Sequence, residues 1–296
     1  MKSLIWTFSL LMVGVIIGFN LATSQKVAFV KSSIEDSLSR LALNPSLNNI
    51  AQKCEIPFEN NMLEEPKKIL VIGHAYGSSQ NMEGDISPSI TDFLASSNDR
   101  FEEIIFTGDV FHTPSIQKWK RLKIHMQELG LKFSIAPGNH DVGNIVDNGL
   151  REIFFQEFSK SFPIIEERES KIMIFLDSTM NPGKIDTDVI KFLEQSSPSS
   201  KTVFIFAHHL LRPQPQLIAN GLTGHSLDIN NIDVLTKAGN KFKNIFVISG
   251  DAGIVKQDVD CLRYKNIFFI SSGIGGTQDD QLLILDGTDL TKRLVN

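Results

Sequence analysis

The clearest pattern in the chain is a series of short apolar runs that alternate with stretches of helical periodicity from residue 68 onward. Continuous apolar runs of this length are typical of strands that are covered on both faces. The pattern predicts an α/β domain, with a layered α/β/β/α arrangement of helices around sheets. The predicted strands lie in the runs KKILVIG, FEEIIFTGD, LKFSIAPGN, KIMIFLDS, KTVFIFAHH, KNIFVISGD and KNIFFISSG.

Helical spacing marks three segments between these runs. One helix is predicted to end at Gly130. A second is indicated between Ile185 and Phe192, and a third around Ile232 to Leu235. The first helix rests on five apolar residues at helical spacing: Ile116, Trp119, Leu122, Met126 and Leu129.

The beginning of the chain has a different pattern. Apart from Thr7 and Ser9, residues 4–19 carry no polar side chain, and Lys2 precedes them. Residues 1–24 therefore fit either a cleaved secretory signal or a membrane anchor in the form of a single transmembrane helix. An anchor predicts a single-pass cell-membrane protein with an extracytoplasmic body, and a cleaved signal predicts a secreted or periplasmic protein.

Composition narrows the function classes. The 296 residues are 42% apolar and 21% charged, which excludes a disordered, collagen-like or multi-span membrane protein. The formal net charge of −5 offers no broad attraction for a polyanion, so we expect no nucleic-acid partner. The polar, Asn- and Ser-rich residues 25–66 are interpreted as a spacer, and residues 67–296 as the folded domain.

Two cysteines, Cys54 and Cys261, are present. They are too few for a disulfide framework and too far apart in sequence for the close pairs of structural zinc sites. We expect two small buried residues, and a single bridge is the alternative if the chain is exported.

The same few polar residue types follow several of the predicted strands. His, Asp or Asn stands beside glycine at the end of five predicted strands, where such folds place their sites. These residue types bind divalent metals such as zinc, iron or manganese, and glycine lets backbone and substrate approach closely. The segments are Gly73-His74-Ala75-Tyr76-Gly77, Gly108-Asp109, Gly138-Asn139-His140-Asp141, His208-His209 and Gly250-Asp251-Ala252-Gly253.

The order and placement of these motifs resemble the calcineurin-like metallophosphoesterases over roughly Lys68 to the C-terminus. The resemblance implies a phosphoester substrate, one or two divalent metal ions (Fe, Mn or Zn), and attack by a metal-bound hydroxide. It implies that Asp109 bridges two metals, that Asn139 and His208 are ligands, and that His140 assists the phosphate and the leaving group. Because adjacent strand residues point to opposite faces, we expect His208 and His209 not to reach the same metal, and His209 is the alternative ligand.

The first and last motifs depart from the family pattern. His74 stands in place of Asp, Tyr76 in place of His, Asp251 in place of His, and Gly253 in place of His. His74 and Asp251 can still bind metal, so we expect a rearranged site with one metal well held and a second one weak, different or absent. The alternative is a non-catalytic member that binds a phosphorylated or polysaccharide-linked ligand at the cell envelope.

Four further residues have two interpretations each. His112 and His225 are either compensating ligands or ordinary loop histidines, and we expect the latter. Tyr76 either contacts metal or phosphate, or is a packed ring with a satisfied hydroxyl. Arg212 either reaches substrate phosphate or is a solvated surface residue.

Overall fold

A computed structural model describes the part of the chain that follows residue 50, with gaps. The described residues belong to one compact unit, Ala51–Asn296. The predicted signal or anchor over residues 1–24 lies outside them, as do residues 25–50 and 60–66 of the predicted spacer and residue 67 of the predicted domain. No helix among the described residues combines the length and apolar character of a membrane span. The described ranges are 51–59, 68–78, 81, 86–97, 101–143, 149–158, 161–212, 229–252, 259–277 and 279–295.

The elements alternate as the apolar runs predict. All seven predicted strands and all three predicted helices are present, together with elements that the pattern did not reveal. The strands are β1 (Gln52–Lys53), β2 (Lys68–Ile72), β3 (Phe101–Phe106), β4 (Lys132–Ile135), β5 (Ile164–Glu167), β6 (Lys171–Phe175), β7 (Thr202–Ala207), β8 (Ile245–Ser249), β9 (Asp260–Tyr264), β10 (Ile267–Ser271), β11 (Gln281–Asp286) and β12 (Asp289–Leu294). The helices are α1 (Pro88–Ser97), α2 (Ile116–Glu128), α3 (Asn139–Val142), α4 (Gly149–Phe158), α5 (Thr187–Gln195) and α6 (Ile229–Gly239).

Two mixed sheets form the middle of the unit. One has seven strands in the order β1-β9-β10-β8-β7-β6-β5, and the other has five in the order β12-β11-β2-β3-β4. Strands β2, β3 and β4 are parallel to one another, and so are β6, β7, β8 and β10. Their carboxyl ends, where the polar motifs begin, therefore lie at one edge of each sheet.

The sheets bury their facing sides against each other. Val71 and Ile105 from the smaller sheet share a core with Phe204 and Phe206 from the larger one. The opposite side of the smaller sheet packs against α1, α2 and α4, where Trp119 is completely buried. This is a mixed α/β sandwich, as the alternation of runs predicts.

The cysteine prediction was wrong. Cys54 and Cys261 form a disulfide, which attaches the segment around β1 to its neighbour in the larger sheet, β9. The backbone N–H of Cys54 also donates to the carbonyl of Cys261 at 3.0 Å. Residues 51–59 fall in the predicted spacer, yet they belong to the folded unit. Strand β1 pairs with the larger sheet, and Phe58 forms a bridge to Lys292 in β12 of the smaller one.

Candidate metal centre

The polar motifs at the strand ends meet around the imidazole of His208, which follows β7 and is fully buried. Its Nε2 atom lies 3.1 Å from Oδ1 of Asn139, 3.4 Å from Oδ2 of Asp109 and 3.9 Å from Oδ1 of Asp251. These side chains follow β4, β3 and β8, so four strands from the two sheets supply one cluster of donors.

His74, which follows β2, adds a donor on the other side of Asp109. Its Nε2 lies 3.8 Å from Oδ2 of Asp109 and is buried without a hydrogen-bond partner. A buried nitrogen without a partner is costly, because it has lost its contact with water and gained nothing in return. Oδ2 of Asp109 thus stands between the two imidazoles, and the structure brings together all five residues predicted as metal ligands.

Backbone carbonyl groups orient the imidazole rings of this region. Nδ1 of His208 contacts the carbonyl of Thr107 at 3.2 Å, and Nδ1 of His74 contacts that of Ile274 at 3.2 Å. A carbonyl oxygen only accepts, so each Nδ1 carries the proton and donates it. Each Nε2 then faces the carboxylates and is the ring atom available to a metal, which is the arrangement that metal-binding histidines usually adopt.

Asp141, the last residue of the GNHD motif, holds the backbone around Asp109 and Gly138 in place. Its carboxylate is fully buried and accepts three backbone N–H groups: that of Asp109 at 2.7 Å, that of Gly138 at 2.9 Å and that of Val110 at 3.0 Å. Burial and the negative charge of Asp109 raise the pKa of Asp141 to about 7, against the hydrogen bonds from Gly138 and Val110. The sequence motif contained this residue, but its positioning role was not assigned.

The backbone comes unusually close to the donors at two glycines. A Cβ atom at Gly138 would lie 2.2 Å from Oδ1 of Asp109, and one at Gly108 would lie 2.5 Å from the His208 side chain. Asp109 and His74 themselves have a positive φ of 55°, which is uncommon outside glycine and concentrates at functional sites. The glycines beside the donors are therefore required by close approach, as predicted.

The expectation that His208 and His209 could not serve one metal was wrong. Donor atoms of His208, His209 and Asp251 all lie within 4.8 Å of one another. Strand β7 ends at Ala207, so both histidines occupy a bend in which the alternation of strand side chains no longer applies. Nδ1 of His209 lies 3.2 Å from the carbonyl of Ser178, so Nε2 of His209 is the ring atom that can bind a metal.

The charges of the site favour a cation among these donors. Burial alone would lower the pKa of His208, but the carboxylates of Asp109 and Asp251 outweigh it and raise this pKa to about 10. Burial would raise the pKa of Asp109, but the imidazoles, that of His208 foremost, hold it well below its usual range. The position between them is thus electrostatically suited to positive charge, and the nitrogen, carboxylate and amide donors fit a borderline divalent metal.

Three aromatic rings border the donor cluster. The ring of His140 lies 4.7 Å from that of His112 and 5.3 Å from that of Tyr76, centroid to centroid. Nδ1 of His140 donates to the carbonyl of His112 at 2.9 Å, so its Nε2 is unprotonated when the ring is neutral. Tyr76 also packs 4.2 Å from His74, and burial raises the pKa of its hydroxyl, which stays protonated.

Of the remaining candidates, the structure describes Arg212. Arg212 is neither at the site nor solvated: it is buried, and its guanidinium donates to Asp260 at 2.8 Å. Gly253 and His225 lie outside the described residues.

Comparison with known proteins identifies the fold. No protein-family model matches the sequence, and no curated protein is significantly similar to it. A purple acid phosphatase from yellow lupin (Lupinus luteus) seeds superimposes with a TM-score of 0.54 and 11% sequence identity over 79% of this chain. The chain spans about half of that enzyme, 52% of its length. A dimetal phosphatase from Danio rerio is also similar, with a TM-score of 0.45 and 10% identity over 78% of this chain and 99% of its own.

At such low identity the likeness to the lupin enzyme establishes the fold and nothing finer. The chain has the calcineurin-like metallophosphoesterase fold. The resemblance that the motifs indicated is thereby confirmed at the level of the fold.

Proposed function

We propose that this protein is a metal-dependent phosphoester hydrolase. The observation that carries the proposal is the convergence of His208, Asp109, Asn139 and Asp251 on one point, beside the unpartnered nitrogen of His74. The fold supports it, because this site lies at the carboxyl ends of parallel strands in an α/β structure, where ligands usually bind.

The metal would be held by Asp109, Asn139, His208 and Asp251, with His209 and His74 as further donors. When bound, a divalent metal supplies Lewis acidity, which lowers the pKa of water and neutralises charge on the phosphoryl oxygens. We propose one well-held metal for each chain, because Asp109, Asn139 and Asp251 all approach Nε2 of His208, whereas His74 adds a single imidazole on the other side of Asp109.

His140 is the residue that we assign to proton transfer. Its Nδ1 proton is held by the carbonyl of His112, so its Nε2 can accept or deliver a proton at the leaving oxygen. The backbone N–H of His140 also donates to Oδ1 of Asp109 at 3.0 Å, which ties the two groups together. Asp141 keeps the Asp109 backbone in place.

The test is hydrolysis of p-nitrophenyl phosphate, bis(p-nitrophenyl) phosphate and pyrophosphate with Mn²⁺, Zn²⁺ or Fe²⁺ added to metal-stripped protein. We expect metal-dependent turnover of at least one of them and a loss of about 100-fold or more in kcat/KM for Asp109→Asn. Asparagine tolerates the left-handed backbone at this position. Asp188→Asn, on the exposed face of α5, is the control and should keep full activity.

A folded protein that binds metal but hydrolyses none of these substrates would favour the second candidate, a non-catalytic binding protein. Tyr76 favours the non-catalytic binding protein, because its packed neutral ring stands where the family pattern has a histidine. The same experiment therefore separates the two candidates.

We also propose an extracytoplasmic location for the folded unit. The disulfide between Cys54 and Cys261 supports it, because such bonds persist in oxidising compartments and are rare in the cytosol. The apolar residues 4–19 would serve as signal or anchor. Alkylation of the protein in intact cells tests this: the two cysteines should react only after reduction, and reaction without reductant would contradict it.

A further inference from the structure

The described residues also form a cavity that shares no residue with the metal centre. It lies where the two sheets end on the same side, between edge strand β4 of the smaller sheet and edge strand β5 of the larger one. Its volume is about 300 Å³, and residues of α4 and β6 complete its wall. Small-molecule sites usually enclose about 300–1,000 Å³, so this cavity is at the lower end of that range.

Most residues of the cavity wall are apolar, and the rest are Lys123, Ser134 and Glu166. Phe154 and Phe175 are each 1% exposed and form part of it. Partly exposed rings and one aliphatic side chain make up most of the remainder: Phe133, Phe158, Phe162 and Ile164. A mostly apolar wall of this kind favours apolar molecules, because their contact with it removes apolar surface from water.

The polar groups of the wall already have partners. The ammonium of Lys123 contacts the carboxylate of Glu157 at 2.8 Å, and Glu166 accepts from Arg168 at 3.0 Å. The hydroxyl of Ser134 donates to Glu103 at 3.1 Å. An uncharged ligand would leave all of these contacts intact.

We propose that this cavity binds an uncharged alkyl chain of about eight to ten carbon atoms. The length follows from the cavity volume of about 300 Å³. A group the size of a water molecule or a methylene occupies about 30 Å³, so the cavity holds about ten such groups. The driving force is removal of the chain from water into a site that is already formed. Binding here requires neither metal nor hydrolysis, so the proposal is independent of the function assigned to the metal centre.

The experiment measures displacement of the neutral fluorescent probe N-phenyl-1-naphthylamine from the full chain by 1-alkanols from butanol to dodecanol. We expect saturable binding in which the affinity rises about fourfold for each added methylene. The rise should stop near nonanol, when the cavity is full. Absence of saturable displacement by any alkanol, or a rise that continues unbroken to dodecanol, would overturn the proposal.

A pair of neighbouring variants locates the site. Ile164→Trp fills the cavity and should abolish alkanol binding, while Ile165→Trp alters the next residue of β5, which does not line it, and should bind like the wild type. Any binding of the probe or of an alkanol to the apolar residues 4–19 is the same in the wild type and in both variants. Melting temperatures establish that each is folded, and Ile164→Phe replaces the tryptophan variant if that one does not fold. Unchanged binding by the folded Ile164 variant would also overturn the proposal.

Discussion

The imidazole rings of the site are oriented by one recurring contact, an Nδ1–H group donating to a backbone carbonyl. It holds His74, His140, His208 and His209, which follow three different strands, β2, β4 and β7. The sequence motifs indicated which residue types gather here, and the strand-end pattern indicated where. They indicated His209 only as an alternative to His208, because the bend after β7, which lets both rings approach one metal, depends on how the chain leaves the sheet.

At the scale of the residue, the charge state of His208 predicts how metal binding depends on pH. Two carboxylates raise its pKa to about 10, so in the metal-free protein Nε2 carries a proton that a metal must displace. We expect the affinity for Mn²⁺ to increase as the pH rises from 6 to 8, by up to about tenfold per pH unit. Titration calorimetry in buffers of different ionisation enthalpy should show about one proton released per metal bound. Affinity that does not change with pH would show that His208 is not a ligand.

The elements that the sequence predicts well are the parallel strands, because burial on both faces makes them continuous apolar runs. Those it misses lie mostly at sheet edges or contain few β-branched residues. The partly exposed edge strand β5 contains two glutamates, and leucine, a good helix former, makes up three of the four apolar residues in β11. Neither sequence therefore stands out as a strand.

At the scale of the element, the connection from β4 to α3 holds the site through Gly138. Its backbone would accept an alanine, since its φ of −99° is ordinary, but the added Cβ would lie 2.2 Å from Oδ1 of Asp109. We expect Gly138→Ala to weaken metal affinity about 10–100-fold by displacing that carboxylate, and to lower stability by about 1–3 kcal/mol. Metal titration and denaturant unfolding measure the two effects. Wild-type metal affinity in the folded variant would show that Asp109 does not bind the metal.

At the scale of the whole molecule, a disulfide links the beginning of the described unit to β9, a strand near its end. The disulfide from Cys54 to Cys261 encloses a sequence separation of 207 residues, and that enclosed segment contains every donor of the metal centre. A bridge across so long a loop restricts the unfolded chain strongly. Spacing alone could not reveal the pair, because it depends on β1 joining β9.

Removing the bridge tests this contribution. The double variant Cys54→Ser, Cys261→Ser should lower the free energy of unfolding by about 2–5 kcal/mol. Its metal affinity should stay close to that of the wild type, because neither cysteine contacts the donor cluster. Denaturant unfolding of both proteins, with the reduced wild type as a control, measures the difference. Equal stability of the oxidised wild type and the variant would contradict the predicted role.

The most direct test of the central claim is the metal content of the purified full chain, measured by elemental mass spectrometry beside that of Asp109→Asn and Asp188→Asn. The convergence of donors predicts about one transition metal per chain in the wild type and in Asp188→Asn, and almost none in Asp109→Asn. A folded wild-type protein that holds no metal, even after reconstitution with Mn²⁺, Zn²⁺ or Fe²⁺, would contradict it.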